Sequence, residues 1–152
     1  MSQENVERLR TALEAYNQEG PEAIIALLDP DVEWVADRSD MGRTTYRGRD
    51  AVRKSFEELY EGFDKLGMEV DELIQADDKI LFLGRMTARG RSTHVEAKLP
   101  LAIVFTVSEH GKLMRYESFR DAGEATFVRE QGGHRASVQG RAGILGGGDP
   151  YF

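Results

Sequence analysis

The sequence predicts an α+β fold in which N-terminal helices cover the concave face of a curved antiparallel sheet and enclose an apolar pocket. Three observations predict it. Apolar residues recur at helical spacing in the first part of the chain. From Met68 onward the period changes to two. The period-two runs are separated by short turn sequences, Asp77-Asp78, Gly90-Arg91 and His110-Gly111, which is the signature of an antiparallel meander. The 152 residues fit one domain with a sizeable core.

Val6, Leu9, Leu13 and Tyr16 form the apolar stripe of a first helix, with Ser2 as its cap and Glu4 in its first turn. Gly20 suits the end of that helix, and Pro21 suits the first position of the next. The second helix carries Ala23, Ile24, Leu27 and Leu28 and stops at Asp29-Pro30. Val32, Trp34 and Ala36 alternate with Glu33, Val35 and Asp37 as a short strand does. A polar loop is expected from Arg38 to about Tyr46. Val52, Phe56, Leu59 and Phe63 mark a third helix that ends near Gly67. Strands are expected over 68–76, 79–89, 92–107 and 112–121, the third bent near Pro100 because proline cannot donate to a ladder. A short closing helix is expected over 122–131, with Asp121 as its N-cap. Residues 1–131 therefore read as one domain. Residues 132–152 read as a tail, since seven of the sixteen glycines lie between Gly132 and Gly148. Two readings stay open for it: a flexible tail, or a segment docked on a partner subunit or over the pocket mouth.

Composition excludes several classes. The formal net charge of −7 repels phosphate backbones and anionic membrane surfaces. No apolar run approaches the roughly 18 residues needed to span a bilayer, so neither nucleic acid nor membrane is an expected partner. The chain has no cysteine, which removes disulfides, thiolate metal sites and a cysteine nucleophile. Its start is polar and acidic and lacks the order of a signal peptide, so a cytoplasmic protein is expected. His94, His110 and His134 are far apart and show no ligand spacing. No glycine-rich loop sits between a strand and a helix. Neither a metal nor a cofactor is expected.

Four segments carry a resemblance. They are Leu28-Asp29-Pro30-Asp31-Val32-Glu33-Trp34, Tyr46-Arg47-Gly48-Arg49-Asp50-Ala51-Val52, Leu99 to Phe105, and Gly111-Lys112-Leu113 through Asp121. In this order they resemble the SnoaL-like proteins of the nuclear transport factor 2 (NTF2-like) superfamily. The resemblance implies a cone-shaped, cystatin-like α+β fold, a pocket between helices and sheet, and a homodimer formed through the sheet. Its members include polyketide cyclases, ketosteroid isomerases, epoxide hydrolases and dehydratases, so the site must decide the function.

Aligned to the isomerases, the first-helix tyrosine falls near Leu13, the sheet acid at Ile103, and the base at Ala36, or at Asp37 with a one-residue slip. The epoxide-hydrolase set falls on Leu101, Ile103 and Ser118. Neither set is present. In the cyclases one acid–base group can suffice, and Asp37 is the candidate. Tyr16, Trp34, Tyr60, Phe105 and Tyr116 are expected to converge where helices meet sheet, with Leu101, Ile103 and Ser118 completing the lining. The main reading is a protein that binds a hydrophobic small molecule without an identified catalytic set. An enzyme of cyclase, isomerase or dehydratase type and a structural dimer with a filled core stay open beside it.

Overall fold

The computed structural model describes residues 2–38 and 42–119. In chain order its elements are α1 (Ser2–Glu19), α2 (Glu22–Leu27), β1 (Leu28–Arg38), β2 (Gly42–Arg47), α3 (Arg49–Gly62), β3 (Phe63–Ala76), β4 (Lys79–Gly90), β5 (Glu96–Val107) and β6 (Leu113–Phe119). The expected closing helix over 122–131, its Asp121 cap and the 132–152 tail lie outside the described residues.

The break between α1 and α2 is where local chemistry puts it. Gly20 has φ +98° and donates its N–H to the Tyr16 carbonyl at 3.0 Å, a left-handed end that glycine adopts without a Cβ clash. The Tyr-x-Gly motif has a similarly local role. Gly48 (φ +87°) turns the chain from β2 into α3 and donates its N–H to the Val32 carbonyl at 2.8 Å. Arg49 Nε reaches back to the Leu28 carbonyl at 2.8 Å. Together these bonds fix the start of α3 against β1.

The six strands form one curved, open sheet in the order β2-β1-β6-β5-β4-β3. β3 to β6 are the antiparallel meander that the turn sequences predict. One pairing corrects the antiparallel expectation: β1 runs parallel to β6. The β1–β2 hairpin adds to the edge of β6 that β5 leaves free, and no local signal encodes that long-range choice. The register of β3 on β4 shifts between Val70 and Glu72, opposite Gly84. A Cβ on Gly84 would sit 2.0 Å from the Glu69 carbonyl oxygen, so the two backbones can approach this closely only over glycine.

Three further expectations are corrected. The expected polar loop over 38–46 contains a strand: Thr44, Thr45 and Tyr46 pair with Ala36, Val35 and Trp34. α3 ends at Gly62 rather than near Gly67, and β3 starts at Phe63 rather than at Met68. Phe63 fits the helical stripe, but pairing with β4 wins, aided by the Arg89–Asp64 ion pair at 2.9 Å. β5 starts at Glu96 rather than at Ser92, because residues 91–95 form a longer turn with His94 at φ +59°.

Leu9, Leu13 and Tyr16 of α1, Ile24 and Ile25 of α2, and Val52 and Phe56 of α3 pack on Val32, Trp34, Ile80, Phe82, Ile103, Phe105 and Tyr116. This is the main core, and it lies on one face of the sheet. Asn17 fastens α1 to the sheet edge. Its amide donates to the Met68 carbonyl at 2.8 Å, and its carbonyl accepts the Met68 N–H at 2.7 Å. β3 is an edge strand, so this side chain satisfies backbone groups that a further strand would otherwise take. Among the described residues no helix is long and apolar enough to cross a membrane.

Candidate functional site

Strand alternation decides which side chains can share a site. On β1, Val32, Trp34 and Ala36 face the helices. The lateral row through Trp34 continues to Tyr116 on β6, Phe105 on β5 and Ile80 on β4. The adjacent row holds Ser118, Ile103 and Phe82. The expected aromatic set therefore does converge. Trp34 and Tyr116 stack face to face, with centroids 3.6 Å apart and planes 1° apart. Phe105 meets Tyr116 edge-on at 5.6 Å. Phe56 meets Trp34 edge-on at 5.7 Å and Tyr16 at 5.8 Å. Edge-on and offset contacts of this kind add to the burial of the rings themselves.

Phe56 is the member that the sequence reading left out of the site. It sits in the α3 stripe between Val52 and Leu59, and it bridges the helix-borne Tyr16 and the sheet-borne Trp34. The signal was present, because an aromatic on the helix stripe that faces the sheet must meet the sheet's own aromatics.

Burial is graded across this face. Ile103, Phe105, Trp34, Tyr116 and Ser118 are buried. Ala36, Leu59, Tyr60, Phe63 and Leu101 pack against the same cluster but stay only partly buried. These residues come from the ends of β1 and α3, the start of β3 and the middle of β5, so the apolar surface thins at this end of the sheet, as it also does around Val6, Ala23 and Leu27.

Two hydroxyls meet there. Tyr16 and Tyr60 bring their hydroxyls within interaction range of each other. Burial is the main cause that raises the Tyr16 pKa far above the ordinary phenol value, with the nearby Tyr60 and Tyr116 adding to it. Burial also raises Tyr60, and its interaction with Tyr16 partly offsets the rise. Both phenols are therefore neutral donors throughout the physiological range.

The remaining expected residues fall as follows. Leu13, Ile103 and Ala36, the positions aligned with the isomerase roles, lie together in the main apolar cluster. Leu101 and Ser118 lie on the same side as Ile103. The side chain of Asp37 lies outside the described residues; its backbone pairs with Arg43. Arg85 belongs to the opposite face, where it bonds Asp71 at 2.8 Å and Glu69 at 3.0 Å. Among the described residues no group of three or more His, Asp or Glu side chains is placed to hold a metal. An open recess of about 390 Å³ lies beside Gln3, Glu4, Glu7 and Arg8 on the first turns of α1. It lies at the other end of α1 from Tyr16.

Residues 9–116 match the SnoaL-like domain family. No curated protein matches the chain in sequence. Solved structures do match in fold. An NTF2-like protein of unknown function from Burkholderia pseudomallei is 22% identical, with a TM-score of 0.67 over 82% of this chain and 95% of that one. An NTF2-like protein from Burkholderia thailandensis is 28% identical, with a TM-score of 0.64 over 76% and 88%. TerC, co-crystallised with polyporic acid, is 20% identical, with a TM-score of 0.66 over 83% and 98%.

Proposed function

Since the chain belongs to the SnoaL-like domain family, we propose that it binds a hydrophobic, oxygen-bearing small molecule on the helix-facing side of the sheet, where the apolar surface thins. The observation that carries this reading is the Tyr16–Tyr60 pair beside the Trp34–Tyr116–Phe56 cluster. Rings supply flat apolar area, and a few fixed hydroxyls supply orientation. Of the two hydroxyls, that of Tyr60 belongs to the less buried residue and is the one a ligand would reach. A carbonyl, phenol or enol oxygen of a bound ring is the natural acceptor. Leu101 would hold the apolar part of the ligand, with buried Ile103 and Phe105 packed behind it.

Trp34 is the only tryptophan in the chain, so its emission reports on this site alone. Titration with polyporic acid, the compound crystallised with TerC, and with a panel of aromatic polyketides is expected to change that emission and raise the melting temperature. Tyr60→Phe should weaken binding by about two- to tenfold, the worth of one hydrogen bond of roughly 0.5–1.5 kcal/mol, and lower the unliganded melting temperature as well, because it removes the hydroxyl beside buried Tyr16. If no apolar probe changes either signal, the binding reading fails. If a bound probe is returned as a new product, and Asp37→Asn abolishes that product, the enzymic reading replaces it.

A further inference from the structure

The face of the sheet turned away from the helices is as dry as the face they cover. Leu81, Leu83, Ala102, Val104 and Phe119 form a second apolar cluster there, each only 0–6% exposed. Leu81 pairs with Val104, Leu83 with Ala102, and Ala102 with Phe119, so the strip runs unbroken across β4, β5 and β6. Ile74 of β3 packs against it. Among the described residues no helix contributes to this cluster; the buried hydrophobic residues of α1, α2 and α3 belong to the other one.

Lateral neighbours in a sheet flank a side chain but do not roof it. A leucine on a water-facing sheet keeps a good part of its outer surface, whereas Leu83 keeps none. The sequence carries the same message. Ile80-Leu81-Phe82-Leu83 and Leu101-Ala102-Ile103-Val104-Phe105 are continuous apolar runs, the pattern of strands buried on both faces rather than on one.

The occupant follows from what is left. The 33 residues after Phe119 leave β6 from a residue that is itself part of the strip. They carry Phe127, Val128, Ile144, Leu145, Tyr151 and Phe152 among many glycines. The strip is bordered by paired charges: Arg85 with Glu69 and Asp71, and Lys98 with Glu69, on one side; Glu33 with Arg47 and Arg115 on the other. An apolar centre with a polar rim is the anatomy of an interface. We propose that segment 120–152 folds back over this outer face as an intramolecular cap, and so withholds it from a second copy of the chain. A tethered segment acts at an effective concentration on the order of millimolar, which a free second copy does not match.

The chain has no cysteine, so Ala102→Cys in the full-length protein places one thiol within the strip. Its alkylation by a maleimide is expected to be at least about tenfold slower than in the urea-unfolded protein, and equally slow at every protein concentration. Fast alkylation throughout would overturn the cap. Protection that is lost on dilution would overturn it too, by assigning the face to a second copy. A second variant leaves the strands untouched: F127S/V128S/I144S/L145S is expected to raise the binding of a dye that reports exposed apolar surface. Unchanged dye binding in that variant also overturns the proposal.

Discussion

The two faces of one sheet are both dry, yet they are built from different chemistry. The helix-facing side is aromatic and carries hydroxyls: Trp34, Tyr116, Phe105, Phe82 and Ser118 from the sheet, Tyr16, Phe56 and Tyr60 from the helices. The outer side is mostly aliphatic, with Leu81, Leu83, Ala102 and Val104 joined by one aromatic, Phe119; ion pairs stand at its rim, and Thr106 and Glu117 bring polar groups next to Val104. Rings with polar tips can recognise a ligand and still pack among themselves. An aliphatic strip with a charged border offers area and register but little to distinguish one small molecule from another. The two proposals rest on this contrast: ligand recognition on one face and chain docking on the other.

Phe56→Ala tests the first face most severely. Phe56 touches both Tyr16 and Trp34, so its removal opens a hole at the junction of α1, α3 and β1. A loss of about 3–5 kcal/mol is expected from urea unfolding, with a changed Trp34 emission in the folded protein. A loss below about 1 kcal/mol would mean that the ring packs loosely and that the helix-facing cluster is not one unit. Leu83→Ala makes the matched test on the second face. A roofed Leu83 should cost about 2–4 kcal/mol, whereas a leucine open to water should cost less than about 1 kcal/mol. The size of the gap between these two variants measures how alike the two faces are in burial.

Much of this arrangement was legible because it is periodic. The stripe of α1, the stop at Gly20, the meander turns and the convergence of Tyr16, Trp34, Phe105 and Tyr116 all follow from spacing and turn chemistry. The misread parts are those where two periods fit one segment or where a partner lies far along the chain. Leu59 and Phe63 are spaced as on a helix, yet Phe63 pairs with Gly90 in β3. Thr44-Thr45-Tyr46 is short and flanked by polar residues, and only the neighbouring β1 makes it a strand. The parallel β1–β6 pair joins residues about 80 positions apart, a contact no local rule encodes. The Tyr16–Tyr60 interaction is of the same kind, since its partners sit on different helices.

Asn17 sharpens the comparison at the sheet edge, where backbone rather than side chains needs cover. Asn17→Ala removes both bonds to Met68 and leaves two partly buried backbone groups to find water. A cost of about 1–3 kcal/mol is expected, together with faster hydrogen exchange at the Met68 amide. Unchanged exchange at that amide would mean that α1 is held by its apolar stripe alone.

The smallest effect belongs to the rim of the outer face. Hydrogen bonds from Lys98 first, and from Arg85 next, hold the Glu69 carboxyl below the usual glutamate range. A depressed folded-state pKa adds stability that is fully present above the unfolded value and is lost as pH falls through the folded one. The advantage of wild type over Glu69→Gln should therefore be greatest near neutral pH and shrink as pH falls below about 4.5. Glu69 is substantially exposed, so solvent screening limits that advantage to at most about 0.5 kcal/mol, and added salt should reduce it further. Urea midpoints for both proteins across this range decide the matter. A difference that ignores pH and salt would show that Glu69 acts through packing against Arg85 rather than through charge, and the rim would then be continuous with the strip it borders.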